Sequence, residues 1–115
     1  MDYTIAHSLA RQIEESEECR EYRRLKEIVD QSDTTRALLK EYKRLQVLLQ
    51  VSAMNHSAMP QEDMNRLSQI SSLLYAGTDT SAYLLAEMRL QQAMADIFGI
   101  LTKAAGLSME LPGLQ

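Results

Sequence analysis

The chain carries a single cysteine, no tryptophan, one phenylalanine, four glycines and two prolines. One cysteine excludes an intramolecular disulfide and any cysteine-based metal centre within one chain. Scarce glycine and proline leave no linker between domains and no Gly-rich loop of the kind that cradles phosphates. Aromatic residues make up only 5%. The core therefore has to be built from Leu, Ile, Met and Ala, which are mostly good helix formers. The longest apolar segment is interrupted by charges and makes a poor membrane span, which needs roughly 20 apolar residues. The opening residues Met1-Asp2-Tyr3-Thr4 lack the basic and apolar regions of a secretory signal, so a cytoplasmic protein without membrane contact is expected. A formal net charge of -4 argues against broad attraction to nucleic acid, while leaving room for a local basic face.

What is present points to helices. The 115 residues, 45% of them hydrophobic, suffice for one domain with a real core. We expect a single all-α domain over residues 1–115, a small bundle of about four helices. Its longest helix is expected from about Asp79 to Ala105, roughly 40 Å at 1.5 Å per residue. Leu90, Met94, Ile97, Leu101 and Ala104 recur there at steps of four and three, one face of a 3.6-residue helix. Ala86 and Ala93 extend that face with small side chains. Leu84, Met88, Ala95 and Phe98 form a second row. An arc that wide suits packing by more than one neighbour.

The first segment, Asp2 to Val29, reads as one helix capped by Asp2. Ile5, Leu9 and Ile13 make one stripe. Tyr22, Leu25 and Val29 make another, rotated by about half a turn if the helix is straight. Glu14, Glu15, Glu17, Glu18 and Glu21 lie between them, and the simplest reading of that run is a solvated face. A second helix is expected from a Ser32 or Asp33 cap to about Val51, with Leu38, Tyr42, Leu45 and Leu49 as its core stripe. Arg36, Lys40, Lys43 and Arg44 lie on its far side. That basic face reads either as solvated surface, or mate of an acidic helix, or as a docking site for RNA or an acidic protein. No aromatic interleaves those residues to stack on bases.

Residues 52–59 are expected as a loop with Met54 and Met59 folded inward. Pro60 suits the first turn of a third helix, with Glu62 and Asp63 near its positive end. Met64, Leu67, Ile70 and Leu74 would be its core stripe, and Gly77 its stop. Gly106 is expected to end the long helix. The tail from Leu107 to Gln115 is expected as an extended strip on the bundle, or as an end that orders on a partner.

Signs of catalysis are sparse. No nucleophile sits in a recognisable elbow. His7 and His56 lie on different segments, and neither belongs to the Glu-x-x-His pair of di-metal bundles. His7 is expected half-exposed and Cys19 as a small core filler. Glu87 interrupts an apolar arc, and a buried carboxylate there would need a partner such as Arg11 or Arg66.

Leu9-Ala10-x-x-Ile13-x-x-Ser16-x-Glu18, Tyr22, Leu39-x-Glu41-Tyr42-x-x-Leu45-Gln46-x-x-x-Gln50 and Tyr83-Leu84-x-Ala86-Glu87-x-x-Leu90 together resemble the bacterial YlbF/YmcA family over nearly the full length. The resemblance implies a small, cytoplasmic, self-associating helical protein that is not an enzyme. It implies a regulatory factor for competence, sporulation and biofilm formation, acting in a multi-protein complex that adjusts messenger RNA processing by an endoribonuclease. Some relatives supply cysteines to an iron–sulfur cluster. The C-terminal part of this chain has none, so no cofactor and no metal are expected. The sites expected are contact surfaces. Leu9, Ile13, Leu90, Met94 and Ile97 are assigned to self-association as at least a dimer. Arg36, Lys40, Lys43 and Arg44 are assigned to a partner, either another regulatory protein or, alternatively, RNA.

Overall fold

Five helices form in the computed structural model, which describes residues 1–107. They are α1 (Thr4–Glu15), α2 (Glu17–Asp30), α3 (Asp33–Met54), α4 (Gln61–Ala76) and α5 (Thr78–Ala105). No strand occurs among the described residues. The fold is all-α, with the longest helix last. The expected tail strip lies outside the described residues from Ser108 onward.

The first expected helix is two. Ser16 adopts φ -66°, ψ 155°, extended backbone that interrupts the ladder. Its hydroxyl donates to the Ile13 carbonyl at 2.6 Å and accepts from the Cys19 N–H at 3.2 Å. Serine thus offers the backbone local partners in place of helical ones, and caps α2. At the start of α1, Asp2 Oδ1 accepts from the Thr4 N–H at 2.9 Å and from its hydroxyl at 2.7 Å. Those bonds hold the Asp2 carboxyl below its ordinary pKa.

Ser32 caps α3 through the Thr35 N–H, as its position predicts. The helix runs to Met54, beyond the expected Val51. Asn55, His56 and Ser57 then close it. The Ser57 N–H bonds back to the Ser52 carbonyl at 2.9 Å and the His56 N–H to Ala53 at 3.3 Å, with His56 at φ 55°. That is a Schellman closure with histidine where glycine is usual. Gly106, at φ 72°, closes α5 in the same way, through Leu107 to Thr102 and Gly106 to Lys103. Pro60 stands just before α4 rather than inside its first turn, which carries Glu62 and Asp63. Gly77 ends α4 with extended backbone. The Thr80 hydroxyl reaches back to the Leu74 carbonyl, satisfying a group the end of α4 leaves open.

The chain divides into two compact units. One comprises Met1–Arg23 with the chain from Leu84 onward, and the other is Arg24–Tyr83. The Arg24–Tyr83 unit holds the deep core. Leu25 and Val29 of α2, Leu39, Tyr42 and Leu45 of α3, Ile70 and Leu74 of α4, and Met59 and Tyr83 are all buried. The fullest burial belongs to Leu45, Ile70 and Leu74, where α3 and α4 form the tightest helix pair. Several expected core residues are not there. Leu38 and Leu67 are half-buried, Leu49, Met54 and Met64 exposed, and Leu39 and Ser52 take the inner positions on α3. Tyr42 and Leu45 keep their expected places, so the buried face turns only partly, with Leu39 in place of Leu38 and Ser52 in place of Leu49.

The other unit has little deep core. Among its described residues only Cys19, Leu84 and Ala86 are buried, and α1 buries no residue fully. Leu90 and Ile97, on the expected apolar face of α5, are half-buried, while Met94 and Leu101 on the same face are exposed. Cys19 is the expected buried filler, whereas His7 is exposed rather than half-buried. Glu87 is half-buried and engaged with a partner.

Candidate functional site

The unit that lacks a deep core carries the most distinct surface feature. Leu9, Gln12, Ile13, Ser16 and Glu18 face Leu90, Ala93, Met94 and Ile97 across a groove of about 210 Å³. All five residues that the sequence assigns to self-association line it. Their spacing on α1 and α5 puts each set on one helical stripe. A second groove, of about 570 Å³, is lined by Glu17, Glu18, Glu21, Ala86 and Arg89. Higher residue numbers from α1 into α2 meet lower numbers on α5, so the two runs are antiparallel. Glu18 belongs to both grooves, so an apolar stretch passes directly into an acidic one.

The apolar groove is open rather than filled. Met94 on its wall is 43% exposed, and Leu9, Ile13, Leu90, Ala93 and Ile97 are only half-buried. An unfilled apolar contact loses both dispersion partners and desolvation. The arrangement offers a surface to pack against. It brings no nucleophile beside a base, and among the described residues no group of three His, Cys, Asp or Glu side chains could hold a metal ion.

The four basic residues assigned to a partner all lie on α3, and the structure treats them differently. Arg36 is paired with Asp33 one turn before it. Arg44 forms a two-pronged pair with Glu41, Nε to Oε2 at 3.0 Å and Nη2 to Oε1 at 2.8 Å. The hydrogen bond from Arg44 holds the Glu41 carboxyl below its ordinary pKa, against a smaller opposing effect of burial. Lys43 donates to the Tyr83 hydroxyl at 3.3 Å, with its ammonium 5.6 Å from the ring centre. Lys40 is exposed and has no ion pair among the described residues. The basic face expected from the sequence thus has one fully available charge. Sequence reasoning missed these pairs because Asp33 reads as a possible cap, and neither Asp33 nor Glu41 was matched to the arginine three residues on.

Tyr42 is a third feature. Burial is the largest cause pushing its hydroxyl up to about pKa 12, followed by the neighbouring Tyr75 hydroxyl, while Ser71 and Gln46 act the other way. It is a buried hydrogen-bonding post of the α3–α4 pair rather than a reactive group.

No helix among the described residues is long and apolar enough to cross a membrane. The sequence profile of a family described as "Control of competence regulator ComK, YlbF/YmcA" matches residues 3–105. A UPF0342 protein of Caldicellulosiruptor saccharolyticus is 28% identical over 112 residues, covering 97% of this chain and 93% of the relative. A UPF0342 protein of Halothermothrix orenii is 30% identical over 99 residues, covering 86% and 84%. A solved structure from Bacillus stearothermophilus, described as a protein of unknown function (DUF964), has a similar fold. Its TM-score is 0.71 at 17% identity, over 90% of this chain and 91% of the other.

Proposed function

Because the chain belongs to the YlbF/YmcA family, we propose that it is a non-enzymatic, cytoplasmic regulatory adaptor that self-associates through the groove between α1 and α5. The observation that carries this reading is the convergence of Leu9, Ile13, Leu90, Met94 and Ile97 on one unfilled apolar groove. Its walls belong to a helix, α1, that buries no residue fully. Two such helices from each of two copies make a four-helix arrangement in which each apolar stripe gains a second neighbour. The self-associated protein would then present its remaining faces to other regulatory proteins. The family description points to control of competence. The resemblance extends the expectation to sporulation, biofilm formation and a complex that adjusts messenger RNA processing, with the chain itself cutting nothing.

Affinity capture from native lysate tests it, with and without ribonuclease and with a Met94→Glu control. The expected result is one regulatory protein held near stoichiometry, surviving ribonuclease and weakened by the variant. Capture that disappears with ribonuclease would contradict it. Direct RNA binding through α3 is the weaker reading, since Arg36 and Arg44 already hold carboxylates.

A further inference from the structure

We propose that the outward face of α3 is a docking seam for an acidic amphipathic helix of a partner protein. The inference rests on the adaptor reading and names the partner's chemistry. Lys40, Arg44, Val47, Val51 and Met54 follow one another at steps of four, three, four and three. That is the spacing along which a second helix can lie beside the first with knobs in register. The row is opposite the buried row Leu39, Tyr42 and Leu45, so it belongs to no core of its own unit.

Its two halves differ in chemistry. Val47, Val51 and Met54 are 58%, 45% and 61% exposed. Three successive apolar side chains on the seam of one solvent face are a poor use of surface unless something covers them. The other half is positive. Arg44 is held by Glu41, so the available charge is Lys40. A helix with apolar residues at heptad spacing in one half and a carboxylate placed to meet Lys40 in the other matches both halves together.

Nucleic acid matches only one of them. Phosphates find no donors at Val47, Val51 or Met54, and a polyanion needs a row of available cations. Here two of the four basic residues already bind carboxylates. Charge at one end of an apolar seam instead selects a partner and its register, because the wrong sign at Lys40 is rejected.

The test uses the full chain and two synthetic helical peptides. Both carry Leu at heptad a and d positions in one half. One has Glu and the other Lys in the remaining half. Binding is read by fluorescence anisotropy. The acidic peptide is expected to bind at least ten-fold tighter than the basic one. Lys40→Glu should reverse that preference. Val51→Asp should weaken both peptides at least ten-fold. Met94→Glu should leave peptide binding unchanged, which separates this seam from the α1–α5 groove. All three positions are exposed, and circular dichroism checks that helicity is kept.

Equal affinity for the two peptides, or none at millimolar concentration, overturns the proposal. So does retention of a single-stranded RNA probe that Lys40→Glu abolishes. Dissociation of the chain's own oligomer by Lys40→Glu would overturn it in favour of a second copy on the seam.

Discussion

His56 closes α3 with a left-handed backbone, φ 55°, where a side chain costs roughly 1–2 kcal/mol relative to the right-handed region. Histidine tolerates that region better than most residues but less well than glycine. His56→Gly should therefore stabilise the protein by about 1 kcal/mol, read as a rise of a few degrees in the melting midpoint. An unchanged or lowered midpoint would mean the closure carries no strain. Tyr42 makes a second prediction, with pH. Its folded pKa is raised from 10.0 to about 12, chiefly by burial. A raised folded value means the unfolded chain loses its proton first. The stability tied to this group is complete below pH 10 and is lost as pH rises toward about 12. Tyr42→Phe should flatten the fall in urea stability across that window, even if the starting stability is lower. An equally steep fall in the variant would assign the alkaline loss to other groups. Neither effect was legible in the sequence. The position of His56 beyond a helix end is a chain-geometry outcome, and the Tyr42 shift requires knowing which side chains surround it.

At the scale of elements, short polar residues decide where helices begin and end. Ser32, Gly77 and Gly106 stand where the sequence predicts boundaries, because each chemistry is local: a side-chain acceptor, a missing Cβ, an accessible positive φ. Ser16 stands where no boundary was expected. Its hydroxyl bonds to Ile13 and Cys19 compete with the helical ladder, and apolar periodicity alone does not report that competition. Two stripes half a turn apart on one supposed helix were the available sign of it. Ser16→Ala should cost about 1 kcal/mol of stability and speed amide exchange at Cys19, read by hydrogen exchange. Unaltered exchange at Cys19 would show that the break is held by packing rather than by the cap. The inner face of α3 shows the other limit. Leu38 and Leu39 are adjacent leucines and either can begin a stripe. Tertiary packing chose Leu39, and with it exposed Leu49.

Across the whole molecule, apolar material is unevenly spent. The Arg24–Tyr83 unit buries its largest side chains completely at Leu45, Ile70 and Leu74. The unit of α1 and the chain from Leu84 onward leaves its main apolar stripe half-covered. The all-α class, the long last helix and the two separate stripes, Leu9 with Ile13 and Leu90 with Met94 and Ile97, follow from residue spacing; that the two stripes face each other in one patch does not. That the patch would be a groove, and not the centre of the bundle, does not follow from spacing. A periodic stripe looks the same whether its neighbour is in the chain or on another copy. The Asp33 and Glu41 pairs, with the Lys43–Tyr83 contact, likewise leave Lys40 as the one available charge on a basic face of four residues, which net charge per segment conceals.

Sedimentation equilibrium of the purified chain, with and without Met94→Glu, tests self-association through this groove most directly. Met94 is 43% exposed, so a charge there is compatible with the folded single chain, and circular dichroism verifies it. The wild-type chain is expected as at least a dimer at micromolar concentration, with Met94→Glu shifting it toward monomer by ten-fold or more in dissociation constant at unchanged helicity. A wild-type monomer under these conditions, or an oligomer indifferent to the substitution, would contradict it.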